Sequence, residues 1–294
     1  MRLSIITFLI CLLSVSCNQE GVKRYVVQGF AQGTTYSIVY VDTKQRVTKN
    51  DIAIILSEFD RSCSLFNPNS LINSINARQD SVMDINIKEC IELAHFLSDE
   101  SEGMYDVTVK PLIDAYGFAA ANAQKSVNVD SILQFVGYKK IKTLGDTILL
   151  PSGVEIDLNS IAQGYSVDKV AELFDQEGIE NYLIEIGGEV FCRGKNFEGG
   201  KWRIGIDKPI DDNFSPGANL QTIIELDSGR GLATSGNYRR YKIVDGKRIN
   251  HTICPVTGMS IDNNLLSATV IASTSALADG YGTMLMALGV ERAV

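Results

Sequence analysis

The chain has 294 residues, and 45% of them are hydrophobic, which is enough for a substantial core in one large domain or two modest ones. It carries 27 Lys and Arg against 35 Asp and Glu, a formal net charge of −8, and no basic run with interleaved aromatic residues occurs in it, so a nucleic-acid partner is excluded. The only histidines are His95 and His251, which also excludes a multi-histidine metal site.

The first 17 residues have the pattern of a bacterial export signal. Arg2 precedes an apolar run over residues 3–13, and small residues at 14–16 lead to Cys17. The run is too short to cross a bilayer, and the whole pattern matches a secretory signal. We expect residues 1–16 to be a signal peptide, residues 17–294 to form a single domain, and Cys17 to carry a lipid anchor. Plain secretion without a lipid is the alternative.

The other cysteines of the mature chain are widely spaced and match no zinc-binding pattern. We expect them to be single buried thiols, although an exported compartment permits disulfides. They are Cys63, Cys90, Cys192 and Cys254.

The chain from residue 25 to residue 102 predicts a β-hairpin followed by helices. Apolar residues alternate in two segments joined by Ala31-Gln32-Gly33-Thr34, as in antiparallel strands. Helical spacing then follows Thr48 and Ser70, both suitable N-cap residues. The predicted strands are 25–30 and 35–41, and the predicted helices are 48–63, a short one after residue 70, and 86–102.

Residues 103–150 predict several short elements. Gly103 suits a helix C-cap, Asp106 precedes a short alternating segment, and Pro111 begins a helix that ends near Tyr116. Further on we predict a surface loop at 118–128, a helix at 131–135 and a hairpin at 141–150.

Residues 154–178 predict a strand that turns into a helix. Val154, Ile156 and Leu158 alternate with acidic residues, and Asn159 or Ser160 can cap the helix that follows. The free N–H groups of a helix N-terminus suit a phosphate, and a carboxylate beside them, here that of Asp157, indicates a cation between the two. An ordinary connection with a solvated Asp is the alternative.

The C-terminal half predicts more strands, then a final helix. We predict strands at 182–186, 190–194, 202–206, 221–226 and 267–272, a turn of small residues at 231–236, and a helix at 276–288 capped by residues 273–275.

Two places in this half carry candidate chemistry. His251 lies in a loop before Pro255, where functional residues are common. Asp279 and Thr283 are four residues apart on one helix face, and two oxygen side chains so placed can bind Mg²⁺ or Ca²⁺.

The order of elements predicts an α+β fold with mixed, largely antiparallel sheets and packed helices. No glycine-rich dinucleotide motif follows a strand, and no P-loop is present, so Rossmann and P-loop folds lack their defining motifs.

Eight motifs in one order resemble the FAD:protein FMN transferase family, the ApbE lipoproteins. The resemblance covers nearly the whole mature chain. The motifs are Gln32-Gly33-Thr34-Thr35, Phe66 to Ser70 with Ile75-Asn76, Gly103 to Val109, Asp157 to Tyr165, Tyr182 to Gly188, Thr234 to Tyr238, His251 to Gly258, and Ala278-Asp279-Gly280 with Thr283.

The resemblance implies a fold related to the T-fold and an enzyme that cleaves the pyrophosphate of FAD with Mg²⁺ and joins FMN to a Thr or Ser of another protein. It also implies roles for individual residues. His251 would be the catalytic base, and Ser160 (through its backbone oxygen), Asp279 and Thr283 would hold Mg²⁺. FAD would lie against Gln32, Phe66, Met104, Tyr105, Asp106, Asp157 and Gln163.

The chain departs from the family pattern at three places. Many members have a second Asp where Gly282 stands, and many have Asp where Cys254 precedes Pro255. The chain also ends at Val294, where relatives usually continue with strand-forming residues. The first two departures leave a Mg²⁺-dependent FAD pyrophosphatase open as an alternative, and a non-catalytic FAD-binding lipoprotein is a second one.

The resemblance further implies a location and a partner. We expect an envelope protein that is lipid-anchored and faces the periplasm, and whose acceptor is a subunit of an exported or membrane redox complex. Family acceptors carry an Asp-small-small-Thr sequence. Here Asp227-Ser228-Gly229 is followed by Arg230, so we do not expect self-modification.

Overall fold

The computed structural model describes residues 21–118, 128–210, 217–238, 241–244 and 246–293. The predicted signal peptide, Cys17 and most of the predicted loop at 118–128 lie outside them. Within the described residues, no helix is both long and apolar enough to cross a membrane.

The largest element of the fold is a six-stranded sheet in which all neighbouring strands are antiparallel. Its strands are β1 (Lys23–Ala31), β2 (Thr34–Asp42), β5 (Tyr182–Ile186), β6 (Glu189–Arg193), β9 (Arg230–Gly236) and β12 (Ser267–Ala272), in that order across the sheet. Three two-stranded ribbons pair β3 (Lys142–Leu144) with β4 (Thr147–Leu149), β7 (Trp202–Asp207) with β8 (Leu220–Leu226), and β10 (Tyr241–Val244) with β11 (Lys247–Asn250).

Eight α-helices complete the described part of the chain. They are α1 (Lys49–Cys63), α2 (Leu71–Asn76), α3 (Ile85–Glu100), α4 (Lys110–Ala115), α5 (Val129–Leu133), α6 (Ala162–Gln176), α7 (Ser275–Leu288) and α8 (Val290–Ala293).

The central sheet is covered on both faces. Side chains alternate along β6, so Phe191 packs into the cluster that includes Val170 and Phe174 of α6. Val190 and Cys192 point the other way, where they pack with Trp202 of the β7–β8 ribbon. Helices α6 and α7 therefore share one face of the sheet, and residues on that face of β6 point toward them.

Most of the predicted elements are confirmed, and so is the α+β class. The β1–β2 hairpin pairs over its full length, and Ser70 and Thr274 cap α2 and α7 with their side chains. The four cysteines, Cys63, Cys90, Cys192 and Cys254, are buried free thiols, as expected.

The structure corrects two local predictions, at residues 154–158 and 231–236, and assigns the alternating segment that follows Asp106. Residues 154–158 belong to no strand: Ile156 instead exchanges two hydrogen bonds with the Asn76 side chain, and the Asp157 N–H donates to the Val107 carbonyl. The alternating segment after Asp106 is a 3₁₀ turn, Val107–Val109. Residues 231–236 belong to β9, an interior strand of the sheet, because small residues fit beneath the closely packed α7.

The predicted cap of α6 is also wrong. Its N-cap residue is Ile161, and neither Asn159 nor Ser160 makes a side-chain cap. The Asn159 N–H is instead held by the Asp157 carboxylate at 2.8 Å. Because Ser160 does not cap the helix, its hydroxyl is free to pair with the Tyr105 hydroxyl.

Helices α6 and α7 meet at Gly164. A Cβ at this position would lie 2.4 Å from the carbonyl oxygen of Ser275, so any larger residue must push the helices apart. We expect Gly164→Ala to destabilise the protein by about 1–3 kcal/mol, measured by denaturant unfolding. Gly200→Ala is the control, because its Cβ would meet only the Asn196 side chain, at 3.6 Å. Equal unfolding midpoints for the two variants would contradict this packing.

Candidate active site

A cavity of about 540 Å³ lies beside α7 and the segment that precedes α6. Its wall combines residues from the segment after α3, the segment before α6, the start of β6, the end of β9, the loop after β11, and α7. Segments from both halves of the sequence therefore meet at this one place. Its volume is within the range of small-molecule and cofactor sites.

Most of the predicted site residues line this cavity. They are Phe66, Met104, Tyr105, Asp106, Asp157, Ser160, His251, Asp279 and Thr283. Their individual roles stay predictions.

Gln32 and Gln163 are not among the lining residues. The Gln163 amide donates to the Ile186 carbonyl at 3.2 Å and lies so close to Gly187 that a Cβ there would clash with it. Gln32 accepts a hydrogen bond from Ser166 Oγ through Oε1, while its buried Nε2 has no partner. The contact of Gln32 and Gln163 with FAD stays a prediction, because neither side chain lines the cavity.

The three predicted metal ligands come from helix α7 and from the segment that precedes α6. Asp279 and Thr283 share one face of α7, and Ser160 lies just before α6. Asp279 is only 6% exposed, and its Oδ2 accepts a hydrogen bond from the Gly164 N–H at 3.1 Å. Burial raises the pKa of this carboxyl, and the nearby charge of Asp168 adds to the effect.

Two of the predicted metal ligands, Ser160 and Thr283, lie close to other hydroxyl groups. Ser160 Oγ and the Tyr105 hydroxyl are 2.6 Å apart, and Thr283 Oγ1 lies 3.5 Å from Ser235 Oγ of β9. Burial raises the pKa of Tyr105, so this phenol stays protonated. The side-chain oxygen of Ser160 is thus engaged, which is compatible with a metal contact through its backbone oxygen.

Asp106 is held in place by hydrogen bonds from Thr108 and from the distant Tyr138. Its Oδ1 accepts hydrogen bonds from the N–H and hydroxyl of Thr108, and its Oδ2 accepts one from the Tyr138 N–H at 2.7 Å. Burial raises its pKa, and these hydrogen bonds oppose the shift. Asp106 therefore presents a fixed carboxyl to the cavity.

Two phenylalanine rings flank the cavity at different points. Phe66 lines it although its side chain is 70% exposed, so this ring can cover a flat ligand. Phe118 packs edge-to-face against His251, with ring centroids 6.3 Å apart. The loop that carries His251 is fixed on its other side, where the Thr252 hydroxyl donates to Asn237 Oδ1 at 2.7 Å.

The cavity wall is strongly acidic. Five carboxylates line it, namely Asp106, Asp114, Asp157, Glu189 and Asp279. Among the described lining residues the single Lys or Arg is Lys110. Its ammonium already forms ion pairs with Asp114 at 2.6 Å and Glu155 at 2.7 Å. The wall as it stands would repel a phosphate group, unless a cation accompanies it.

Glu189 contributes an unsatisfied oxygen to this wall. Its Oε2 is buried and has no hydrogen-bond partner, a costly state for an ionised group. Burial and the charge of Asp279 both raise the pKa of the Glu189 carboxyl. Within the described residues no group of three or more His, Cys, Asp or Glu forms a metal centre, so a cation here would rely on hydroxyl and backbone oxygens as well. Those are the ligands that Mg²⁺ and Ca²⁺ prefer, and the residues present fit such an ion.

Sequence reasoning missed Glu189, Lys110 and Asp114 as lining residues. Glu189 directly follows Gly187-Gly188, the end of the motif Tyr182 to Gly188, and the motif does not include it. Lys110 and Asp114 are one helical turn apart on α4, and nothing in their spacing distinguishes them from a surface ion pair.

The structure also shows the surroundings of the two departures from the family pattern. Gly282 faces β9, and a Cβ there would lie 2.7 Å from Ser235 Oγ, so a larger residue requires that side chain to move. Cys254 is buried, and its backbone closes a turn with Gly258 and Met259 that holds Pro255 at the cavity.

Comparison with known proteins gives one consistent result. The model of the ApbE family matches residues 32–294. The FAD:protein FMN transferase of Haemophilus influenzae is 34% identical over an alignment that covers 96% of this chain and 86% of the relative. The structure of the flavin transferase ApbE from Vibrio cholerae superimposes with a TM-score of 0.81 at 32% identity, covering 93% of this chain and 89% of that one. The apo form of the Pseudomonas stutzeri flavinyl transferase ApbE gives 0.82 at 31% identity, covering 92% and 87%.

Proposed function

The chain belongs to the ApbE family, and on that basis we propose that it is an FAD:protein FMN transferase. The reaction consumes FAD and an acceptor protein. It joins FMN through a phosphoester to a Thr or Ser hydroxyl of the acceptor and releases AMP.

The observation that carries this proposal is the composition of the cavity wall. The imidazole of His251, the oxygen side chains of Asp279 and Thr283, which suit a hard cation, and aromatic side chains that suit a flat ring all line one space of about 540 Å³. Such a space can hold a flavin nucleotide and expose its phosphates to a hydroxyl from outside.

His251 acts as the general base in this account. Its imidazole removes the proton from the acceptor hydroxyl as that oxygen attacks the phosphorus on the FMN side of the pyrophosphate. The bond from this phosphorus to the bridging oxygen breaks, and AMP leaves with that oxygen. Phe118, packed edge-to-face on the imidazole, limits the orientations of the ring.

The remaining residues orient the substrate. The Asp106 carboxyl is fixed by three hydrogen bonds and can accept from a ring N–H or a ribose hydroxyl of FAD. Phe66 and Met104 offer apolar contact to the flavin.

We propose Mg²⁺ as the cation, with Asp279, Thr283 and the backbone oxygen of Ser160 as its ligands on the protein. When bound, Mg²⁺ neutralises charge on the pyrophosphate and stabilises the departing phosphate. The acidic wall and the unpartnered Glu189 oxygen support this assignment.

A transfer assay tests the proposed function. The protein is incubated with FAD, MgCl₂ and an acceptor domain that carries an Asp-small-small-Thr sequence. We expect AMP and FMN-modified acceptor to form in equal amounts. AMP formed without modified acceptor would point to hydrolysis of FAD instead.

We also propose that the protein is anchored by a lipid on Cys17 in the bacterial envelope and faces the periplasm, where it modifies a subunit of an exported or membrane redox complex. The support is the sequence pattern of residues 1–17. We expect the full chain to fractionate with membranes and to incorporate labelled fatty acid, and Cys17→Ser to lose both. Cys11→Ser, a change within the apolar run, is the control and should behave as wild type. Incorporation of label into Cys17→Ser would refute the anchor.

A further inference from the structure

Glu189 occupies an unusual position at the start of β6. Side chains alternate along this strand, so Glu189 lies on the same face as Phe191, toward α6 and α7. The residue lines the cavity together with Asp279 of α7. Its Oε2 is buried and makes no hydrogen bond.

A buried carboxylate oxygen is stable only when something compensates it. Among the described lining residues the single Lys or Arg is Lys110, and its ammonium is already shared between Asp114 and Glu155. A neutral donor would satisfy the oxygen but would leave two carboxylates, Glu189 and Asp279, facing one cavity. A hard divalent cation resolves both problems, since it accepts oxygen ligands and cancels their charge.

We propose that Glu189 is a further acidic residue of the cation site, acting with Asp279 to hold a divalent cation before any nucleotide binds. This inference rests on the proposed function for the identity of the site. The ligand set that the family resemblance implies, Ser160, Asp279 and Thr283, contains one carboxylate. With Glu189 the cation site would contain two.

The test measures cation binding in the absence of FAD. Mn²⁺, which replaces Mg²⁺ in oxygen sites and is visible by EPR, is titrated into the purified full-length protein and into two variants. Glu189→Gln removes the charge and keeps the shape. Glu185→Gln is the matched control: Glu185 lies on the adjacent strand β5, its carboxylate accepts from the Gly188 N–H at 2.8 Å, and it does not line the cavity.

We expect Glu189→Gln to weaken Mn²⁺ binding about 10–100-fold and Glu185→Gln to leave it unchanged. Thermal unfolding in EDTA separates this role from a structural one. If Glu189 serves the cation, Glu189→Gln melts at or above the wild-type temperature in EDTA and gains less from added Mn²⁺. Equal Mn²⁺ affinity in all three proteins, or a lowered melting temperature in EDTA with unchanged affinity, would overturn the inference.

The outcome is distinguishable from failure of the proposed function. If the wild type transfers FMN while Glu189→Gln binds Mn²⁺ normally, the inference is wrong and the transferase assignment stands. If Mn²⁺ binding depends on Glu189 but no FMN is transferred, the inference stands and the assigned activity is wrong.

Discussion

The His251→Ala protein should bind FAD as the wild type does but transfer FMN about 10²–10⁴-fold more slowly, the usual contribution of a general base. The imidazole lines the cavity and is held by the packed Phe118 ring. Removing it takes away the proton acceptor for the attacking hydroxyl without touching Phe66 or Asp106 on the wall. Transfer is measured by mass spectrometry of the acceptor, and FAD binding by flavin fluorescence.

His95→Ala is the control for this variant. His95 lies on α3, packs edge-to-face with Tyr138 at 6.0 Å between ring centroids, and does not line the cavity. It should transfer FMN at the wild-type rate. A wild-type rate in His251→Ala would remove the residue from the mechanism.

Asp279→Asn should abolish cation-dependent release of AMP. The substitution keeps an oxygen that can accept from the Gly164 N–H, now 3.1 Å from Asp279 Oδ2, so the α6–α7 contact is preserved. What is lost is the negative charge that a divalent cation requires. In EDTA the variant should be at least as stable as wild type, because a neutral amide replaces a buried carboxylate.

Added Mg²⁺ distinguishes the two proteins. A ligand present at 100 times its Kd stabilises the native state by about 2.7 kcal/mol, so the wild type should melt at a higher temperature with Mg²⁺ than in EDTA. Asp279→Asn should show little of that gain. If it retained both the Mg²⁺ stabilisation and the AMP release, the cation site would have to lie elsewhere.

Much of the fold is predictable from sequence because many of its helices and strands are specified by local sequence patterns. The β1–β2 hairpin, α1, α3 and α7 each combine a clear period with suitable caps or turns. His251, Asp279 and Thr283 are candidates from their places in a loop and on one helix face, the family resemblance implies their roles, and the fold brings them to one cavity.

The wrong predictions share a physical cause, which is dependence on distant partners. Val154, Ile156 and Leu158 alternate like a strand, yet all three side chains are buried and the backbone of Ile156 pairs with a side chain 80 residues away. Residues 231–236 look like a turn because they are small, and only the packing of α7 over β9 explains why small residues are needed there. Glu189 could not be identified as a cavity residue from the sequence, because its position in the cavity depends on which face of β6 packs against α7.

The most direct test of the central claim is whether FMN becomes covalently attached to an acceptor protein. The full-length protein is incubated with FAD, MgCl₂ and an acceptor domain carrying Asp-small-small-Thr, beside the same domain with its Thr changed to Ala. Intact mass measurement should show a gain of one FMN on the first domain and none on the second, with AMP released in equal amount to the modified domain. An unmodified acceptor in the presence of bound FAD and Mg²⁺ would contradict the transferase assignment, whether or not AMP appears.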